Sequence, residues 1–294
     1  MHIETRALRE RAVALTKTVR SCRLCPRRCG VDRAAGQVGR CGIGHQARVA
    51  GYGSHFGEER PLVGRFGSGT VFFSGCNLAC CTCQNWMISQ EREGVDISDA
   101  RLAEIFLEIQ AAGCHNRSFV TPTPHVATIV SASAVAVEGD FALPVVWNCG
   151  GYESVEILRL LEGIVDVYMP DVKYAQEDVA QRLSGVTDEV ARSRAVVREM
   201  YRQVGDLVID AGGIARRGLL VRHLVLPNGL AGTAEIMRFL VNEISVDTSV
   251  NVMDQYRPCY RASQAPKLRC PITSAEFGEA IQAATAAGLH RLAA

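Results

Sequence analysis

The sequence contains no block of basic residues, little net charge and no long stretch that is apolar throughout. Residues 118–137 lack Asp, Glu, Lys and Arg, but Pro122, Pro124 and His125 lie near one end. A bilayer-spanning helix is apolar along most of its length, so we expect no membrane span. The formal net charge of +1 creates no long-range field for a polyanion, and nucleic acid is not an expected partner. The charged N-terminal stretch lacks the apolar segment of a signal peptide, so we expect a soluble, cytoplasmic protein.

Cysteine, in contrast, is abundant, with 12 residues in a chain of 294. Without a secretion signal, disulfides are a less expected use for them than metal binding or redox chemistry. Hydrophobic residues make up 48% of the chain, which is enough for one large core or two modest ones. Which of these roles the cysteines have must be inferred from their spacing.

Short apolar runs alternate with helical patterns over most of the chain. The runs are rich in Val, Phe, Leu or Ile, and most end at Gly, Pro, Ser or Asn, as buried strands do. Strands that alternate with helices imply parallel βαβ units, and six of them predict an α/β fold with a partial, TIM-like (β/α)6 barrel. Chemistry in such folds lies at the carboxyl ends of the strands. The predicted strands are Thr70–Ser74, Ser118–Thr121, Val145–Asn148, Val165–Met169, Leu219–Leu226 and Val250–Met253.

Helices are predicted between these strands by apolar spacing and by capping residues. Ser98 is a candidate cap for the first of them, and Thr273 with Glu276 forms a capping box for the last. The predicted helices before that last one are Asp99–Ala112, Val155–Leu161, Thr187–Val204 and Thr233–Ile244.

Residues 1–66 do not show this alternation of predicted strands and helices. Their four cysteines, with many Gly and Arg residues, predict a small Cys-rich extension with a metal site. Residues 67–294 are predicted to form the partial barrel.

The first cysteine cluster follows the predicted strand at 70–74. Its spacing, Cys76-x3-Cys80-x2-Cys83, provides three thiolates on one loop at the carboxyl end of a strand. Three thiolates can ligate three irons of a four-iron cluster and leave the fourth iron open to another ligand. A zinc site or incidental cysteines are the alternatives, because Cys81 shows that thiols cluster here in any case.

This motif and its setting resemble the radical S-adenosylmethionine (SAM) superfamily, and within it the uncharacterised branch related to pyruvate formate-lyase activating enzyme. The segments that carry the resemblance include GCNLACCTCQNW, VTPTPHV, NCGGY, MPDVKY and NVMDQYRP. The resemblance implies a [4Fe–4S] cluster that takes an electron from a reductase or flavodoxin-type donor, cleaves SAM and yields a 5′-deoxyadenosyl radical that abstracts hydrogen from a substrate. The residue before the third cysteine is usually aromatic in the superfamily. Here it is Thr82, so stacking on the adenine falls to Trp86 or is absent.

Seven polar residues near the predicted strand ends are candidates for SAM binding. By resemblance, Asp171 and Lys173 match an Asp-x-Lys motif of the activating enzymes, and alternation along an extended chain places both side chains on one face. A carboxylate suits the ammonium group of SAM, and an ammonium suits its carboxylate. The other candidates have an alternative role as turn residues or buried polar residues. They are Thr121, Thr123, Asn148, Arg222 and Gln255.

A second cysteine cluster is interleaved with glycines in the N-terminal extension. Its spacing is Cys22-x2-Cys25-x3-Cys29-x11-Cys41. Four thiolates complete a tetrahedral zinc site or a fully ligated second iron–sulfur cluster. The sequence slightly favours zinc or a structural role, and four reduced cysteines in a small core are the alternative.

Two of the remaining thiols are candidate catalytic hydrogen donors. Cys149 lies at the end of the third predicted strand, and Cys259 lies beyond the sixth. A thiol there can return hydrogen to a substrate radical, as an epimerase requires, although burial in the core is the commoner role of cysteine. His223 alternates away from Arg222 and is expected to pack in the core.

Three functions stay open at this point. The first is hydrogen abstraction from a protein glycine, as the resemblance to the activating enzymes implies. The second is a redox-neutral reaction on a small molecule or sugar, such as epimerisation. The third is a non-enzymatic iron–sulfur or metal-binding role. Fold and motifs do not choose between the first two, because function depends on the residues that face the substrate.

Overall fold

The computed structural model describes residues 4–139 and 141–293. Within them the helices are α1 Thr5–Thr18, α2 Arg60–Val63, α3 Trp86–Ser89, α4 Asp99–Ala111, α5 Val126–Ala136, α6 Val155–Leu160, α7 Glu177–Ser184, α8 Glu189–Val204, α9 Thr233–Glu243 and α10 Ser274–Ala287. The strands are β1 Ala47–His55, β2 Ser68–Phe73, β3 Val95–Ile97, β4 Arg117–Val120, β5 Val145–Cys149, β6 Val167–Pro170, β7 Val208–Ile209, β8 Ala215–Leu224, β9 Ser249–Met253 and β10 Leu292–Ala293.

The six strands expected from the sequence are all present, as β2, β4, β5, β6, β8 and β9. They pair in parallel in that order, so their order in space follows their order along the chain. Parallel neighbours need a crossover connection, and helices lie in most of these crossovers. The prediction of an α/β fold with consecutive parallel strands is therefore confirmed.

The sheet is mixed and open. At one end β1 pairs antiparallel with β2, and β3 pairs antiparallel with β1. At the other end β10 lies parallel to β9. Over residues 4–139 and 141–293, β3 and β10 are the two ends of the strand order, so the sheet does not close and the predicted barrel is not confirmed.

Strand β1 was not expected from the sequence. Gly51 and Gly53 interrupt its apolar pattern, and glycine in a strand interior weakens the strand signal. The predicted domain boundary at residue 66 falls between β1 and β2, which pair along most of their length.

The helices begin and pack largely as their sequences predict. Ser98 Oγ accepts a hydrogen bond from Arg101 N at 3.1 Å at the start of α4, and the capping box of Thr273 and Glu276 forms at the start of α10. The uncharged stretch at 118–137 contains β4, a turn and the largely buried helix α5, against which α1 and α4 pack. In the described part of the chain, no helix has the length and apolar character needed to cross a bilayer.

The parallel strands carry different residues on their two faces. Val146 of β5, Val167 of β6 and Leu220 of β8 form a buried cluster with Leu62 of the short helix α2. Trp147 belongs instead to the main core on the other face. Because side chains alternate along a strand, residues two or four positions after Val146, Val167 and Leu220 lie on the same face of the sheet as these three. They stand at the carboxyl ends of the strands.

Candidate active site

A cavity of about 210 Å³ opens at the carboxyl ends of the parallel strands. Asn148 follows Val146 by two residues, Asp171 follows Val167 by four, and Arg222 follows Leu220 by two. Because side chains alternate along a strand, one polar side chain from each of three neighbouring strands therefore reaches this cavity. Thr123 and Cys259, which the sequence also indicated, are not part of its wall. The cavity brings together these predicted residues: Cys76, Cys80, Cys83, Thr121, Asn148, Cys149, Asp171, Lys173, Arg222 and Gln255.

The end of helix α7 holds the cysteine loop that follows β2. Ala79 N donates a hydrogen bond to Ser184 O at 3.1 Å, and Cys81 N donates one to Leu183 O at 2.8 Å. The Sγ atom of Cys80 lies 3.0 Å from Ser184 Oγ. The backbone of the loop is thus satisfied by the protein itself, which fixes its path beside the cavity.

Cys76 and Cys80, two of the three predicted ligands, share one partly buried environment. Burial raises the pKa of Cys80 to about 11, although Lys173 opposes this effect. Burial also raises the pKa of Cys76, and the thiols of Cys80 and Cys83 add to the increase. Thiols this buried ionise when a bound cation compensates their charge. The environment therefore suits thiolates that are metal ligands better than free thiolates.

The arrangement of these thiols differs from that of a site for one metal ion. No group of three or more His, Cys, Asp or Glu side chains in the described ranges is arranged to hold a single ion. In an iron–sulfur cluster each thiolate binds a different iron, so the ligands need only line a common wall. Soft thiolate donors also suit iron–sulfur chemistry.

Gly150 leaves room between the cysteine loop and Lys173. A Cβ atom at this position would lie 3.3 Å from Leu78 Cδ1 and 3.8 Å from Lys173 Cε. Both neighbours line the cavity, so a larger residue at position 150 would narrow it. The donor set and this space fit a cluster with a small-molecule ligand beside it.

Thr121 is held in an unusual backbone conformation at the cavity wall. Its φ angle is 59°, in the left-handed region that a β-branched residue rarely adopts. Its N–H donates a hydrogen bond to Asn148 O at 3.0 Å, which ties the end of β4 to the end of β5. Such strain is typically found at functional sites, where the surrounding structure maintains it.

Asp171 and Lys173 form an ion pair on the cavity wall. Burial lowers the pKa of Lys173, but the nearby charges of Asp171 and Cys80 outweigh it, and the net effect is a raised pKa. Lys173 is therefore a permanent cation close to the cysteine loop. The pair offers one negative and one positive group to a zwitterionic ligand.

Gln255 completes the wall on the side of β9. Its carbonyl oxygen accepts a hydrogen bond from Gln84 Nε2 at 3.0 Å, which links the end of β9 to the segment that follows Cys83. Trp86, proposed above as a stacking residue, does not line the cavity. It stacks instead on Tyr260, with ring centroids 5.6 Å apart.

The four N-terminal cysteines converge on a second, much smaller cavity of about 20 Å³. Burial raises the pKa of Cys25 to about 12, and Cys41 and Cys22 are among the groups that raise it further. Burial likewise raises the pKa of Cys41, with Cys22 and Cys29 contributing. Four thiols are the donor set of a structural metal site, although among the described residues these four, like the three at the main cavity, are not arranged to hold a single ion.

Thr123 lies at this second cavity and not at the first. Its hydroxyl donates a hydrogen bond to the carboxylate of Glu153. Burial raises the pKa of Glu153 to about 7, while hydrogen bonds from Thr123 and Cys149 lower it. Glu153 therefore lies between the two cysteine sites.

The two candidate hydrogen donors differ in exposure. Cys149 is 2% exposed and belongs, like Trp147 two residues before it, to the main core on the far face of the sheet, although it borders the cavity. Cys259 is half-buried, and its thiol donates to Thr82 O at 3.4 Å. Neither geometry by itself assigns a catalytic role.

The chain is similar in sequence to two proteins of Methanocaldococcus jannaschii. It is 32% identical to uncharacterized protein MJ0674 of Methanocaldococcus jannaschii in an alignment of 286 positions that covers 92% of this chain and 77% of that protein. The chain belongs to the family of MJ0674. It is also 23% identical to uncharacterized protein MJ0808 of the same organism, over 83% of this chain and 73% of that protein. No model of a protein family matches the sequence.

Among solved structures, the FeFe-hydrogenase maturase HydG from Carboxydothermus hydrogenoformans is similar in fold. The TM-score is 0.51 at 12% identity, and the match covers 74% of this chain. The chain spans 50% of the length of that HydG chain. A structure of TYW1 with a lysine-pyruvate adduct bound matches at a TM-score of 0.41 and 10% identity, over 68% of this chain and 71% of that one. The mostly parallel sheet of this chain therefore resembles the fold of HydG.

Two carboxylates that the sequence analysis did not select reach Arg222 from the segment after β1. Arg222 Nη1 lies 3.5 Å from Glu58 Oε2, and Arg222 Nε lies 3.2 Å from Glu59 Oε1. Asn251 Nδ2 also donates to Glu59 Oε1, at 2.8 Å. The adjacent acidic pair before Pro61 in GEERP was the available signal, but nothing in the sequence indicated that it faces β8 and β9.

Glu189, at the start of α8, was also missed. Its side chain is fully buried, and neither carboxylate oxygen has a hydrogen-bond partner among the described residues. Burial raises the pKa of Glu189 to about 8, and Lys173 is the main group that opposes this effect. A glutamate at a helix N-terminus usually indicates only a favourable interaction with the helix dipole, so its position in the sequence does not distinguish Glu189 from other such residues.

Proposed function

We propose that this chain is a radical SAM enzyme that cleaves SAM reductively at a [4Fe–4S] cluster and abstracts a hydrogen atom from a substrate. One observation carries the proposal. The thiols of Cys76, Cys80 and Cys83 and the charged pair of Asp171 and Lys173 line one cavity at the carboxyl ends of the parallel strands. The likeness in fold to HydG, a radical SAM enzyme, supports the proposal.

When bound, a [4Fe–4S] cluster would supply the electron that breaks the C5′–S bond of SAM, with methionine as the leaving group and the 5′-deoxyadenosyl radical as the hydrogen acceptor. The residues of the chain bind and orient the reactants. Cys76, Cys80 and Cys83 hold three irons, while Asp171 binds the ammonium group of SAM and Lys173 binds its carboxylate. The hydroxyl of Thr121, on its strained backbone, and the amide of Asn148 are further contacts for the same end of SAM.

Arg222 and Gln255 line the part of the cavity beside β8 and β9. Glu58 and Glu59 hold the guanidinium of Arg222 in place, so that it keeps a fixed orientation. We assign Gln255 to the ribose or adenine, and Arg222 to a polar group of SAM or of the substrate.

The reaction that the resemblance favours is hydrogen abstraction by the deoxyadenosyl group without return of hydrogen, as in the activating enzymes. A cysteine is not required for that reaction. An epimerase is the second candidate, because Cys149 borders the cavity. The burial of Cys149 in the far core favours the first candidate.

The test of the main proposal compares two variants of the same loop. Cys83→Ala removes a proposed iron ligand, whereas Cys81→Ala removes a half-buried thiol that does not line the cavity. After anaerobic reconstitution, reduced wild-type protein and the Cys81→Ala variant are expected to convert SAM into 5′-deoxyadenosine. The Cys83→Ala variant is expected to form none above background. Equal product from both variants would refute the ligand assignment, and no product from wild type would favour a non-enzymatic metal-binding role.

Cys149→Ala separates the two reaction types. An epimerase that uses this thiol consumes SAM but yields an oxidised or quenched product in the variant. An enzyme that only abstracts hydrogen gives the same product as wild type. Deuterium transfer from candidate substrates into 5′-deoxyadenosine, followed by mass spectrometry, identifies the substrate in either case.

For the four N-terminal cysteines we propose one structural zinc ion, whose binding would rearrange the four thiols into a tetrahedral site. Metal analysis of protein expressed with zinc and iron is expected to give one zinc per chain, and Cys25→Ser is expected to lose it. Iron in place of zinc would assign a second iron–sulfur cluster to Cys22, Cys25, Cys29 and Cys41.

A further inference from the structure

A shallow groove with three arginines lies on the outer side of the cysteine loop. Its volume is about 250 Å³. The arginines come from three separate segments: Arg40 from the N-terminal cysteine module, Arg92 from the turn after α3, and Arg261 from the segment after β9. The lining consists of Arg40, Ala79, Gln90, Arg92, Tyr260 and Arg261.

The three guanidinium groups are exposed and carry uncompensated charge. Within residues 4–139 and 141–293, no carboxylate forms an ion pair with Arg40, Arg92 or Arg261. Glu91 and Glu93 of the same turn do not pair with them either. Many other arginines of this chain are paired with Asp or Glu, so the groove is a local positive patch on a protein that is nearly neutral overall.

Two of the arginines are held in place. Arg92 Nε donates a hydrogen bond to Cys41 O at 3.2 Å, and Arg261 lies 4.9 Å from the centre of the Tyr260 ring. The Trp86 ring stacks on the same Tyr260 ring. Met87, in the same short helix as Trp86, is 47% exposed. A patch with apolar groups beside fixed cations suits contact with another protein, because the apolar groups and the cations each supply part of a docking interface.

The floor of the groove leads directly to the proposed iron ligands. Ala79 lies between Cys76 and Cys80 in sequence. Gln90 donates hydrogen bonds to Leu78 O at 3.2 Å and to Ser89 Oγ at 3.3 Å, and Ser89 Oγ lies 3.1 Å from Cys83 Sγ. A partner in this groove therefore contacts the loop that holds the cluster, through residues that do not line the SAM cavity.

We propose that this groove is the docking surface for an acidic one-electron carrier protein. The inference rests on the proposed function, because only a reductively activated cluster needs such a partner. One electron leaves the reduced flavin or iron–sulfur centre of the carrier and enters the cluster through the loop, and the carrier departs oxidised by one electron. Complementary charge steers such encounters and makes them sensitive to salt, and small interfaces suit their transient character.

The experiment measures binding and turnover separately. A purified acidic flavodoxin is the probe protein, and reduced methyl viologen is a small cationic reductant that needs no docking surface. The test variants are Arg40→Glu/Arg261→Glu, which leaves the hydrogen bond of Arg92 intact, and the triple variant with Arg92→Glu. The matched control reverses three exposed arginines elsewhere that also form no ion pair among the described residues, Arg20→Glu/Arg65→Glu/Arg238→Glu.

Binding of flavodoxin to the reconstituted enzyme is expected to weaken at least about tenfold in both test variants and to stay unchanged in the control. Binding to wild type is expected to weaken as ionic strength rises. Formation of 5′-deoxyadenosine is expected to fall with flavodoxin but not with methyl viologen. Equal flavodoxin binding by wild type and test variants would overturn the docking surface. Absence of product from wild type with methyl viologen would instead overturn the proposed function.

Discussion

His125 Nε2 donates a hydrogen bond to the carbonyl oxygen of Ser74 at 2.7 Å, and the His125 ring stacks on Phe73 with centroids 4.8 Å apart. Burial lowers the pKa of His125 to about 3, so the ring is neutral and holds the bond at physiological pH. Ser74 is the last residue before Gly75 and Cys76. The start of α5 therefore fixes the end of β2, where the cysteine loop begins.

This bond predicts a linked loss of stability and iron. His125→Phe keeps a ring against Phe73 but removes the donor, leaving a buried carbonyl without this partner. We expect a loss of about 1–3 kcal/mol in the free energy of unfolding and less iron per chain after reconstitution. His290→Phe, at a largely exposed position, is the control and should change neither. Unchanged unfolding in His125→Phe would mean that the loop does not depend on this bond.

Asp171 is expected to contribute directly to SAM affinity. Asp171→Asn removes the negative charge that we assign to the ammonium group, and a charge-assisted hydrogen bond contributes about 1.5–3 kcal/mol, or roughly tenfold to a hundredfold in Kd. Equilibrium dialysis of reconstituted protein with labelled SAM measures the change. Asp178→Asn alters an exposed ion pair with Arg182 and should leave the Kd as in wild type. A similar Kd for both variants would contradict the assignment of Asp171.

Glu58 predicts a pH dependence of stability. Burial raises its pKa from 4.5 to about 7, and the opposing charge of Arg222 only partly offsets this. Between those two values the folded chain binds more protons than the unfolded chain. The free energy of unfolding therefore falls as pH rises from about 4.5 to about 7, by an amount on the order of 3 kcal/mol for a shift of this size.

Urea unfolding at a series of pH values checks this expectation. Glu58→Gln cannot ionise, so its contribution to the slope should disappear, whereas the exposed Glu279→Gln variant should keep the wild-type slope. A Glu58→Gln profile that parallels wild type over the whole window would show that Glu58 does not titrate there.

Leu62 is expected to be a large contributor to stability despite its position in a four-residue helix. It is fully buried against Val146, Val167 and Leu220 on the inner face of three strands. Leu62→Ala creates a cavity and should lower the free energy of unfolding by about 2–5 kcal/mol. Val95→Ala, at a position that is 69% exposed, should cost less than about 0.5 kcal/mol. A small effect at Leu62 would mean that α2 is not a structural element of this face.

Several parts of this structure could be predicted because their signals are local. The six parallel strands follow from short β-branched runs that end at turn residues, and the caps of α4 and α10 follow from Ser98, Thr273 and Glu276. The alternation that puts Asn148, Asp171 and Arg222 on one face depends only on the geometry of an extended chain.

Other parts depended on contacts between distant segments. Thr123 and Thr121 are two residues apart, yet the turn after β4 sends one to the N-terminal cysteine module and the other to the main cavity. Trp86 has a partner, Tyr260, more than a hundred residues away in sequence. Glycine-rich β1 carries no clear strand pattern, and its pairing with β2 provides what its own sequence lacks.

By itself, the sequence determined the order of strands and helices, the two groups of cysteines and the polar residues at the strand ends, because spacing and side-chain chemistry act over a few residues. Only the tertiary structure decided that the sheet stays open and that Glu58 and Glu59 meet Arg222. It also decided that Glu153 lies between the two cysteine sites. These relationships arise because burial of apolar surface brings distant segments together. A charge buried in this way is costly without a partner, and the only partners available to it are the groups that packing has placed nearby.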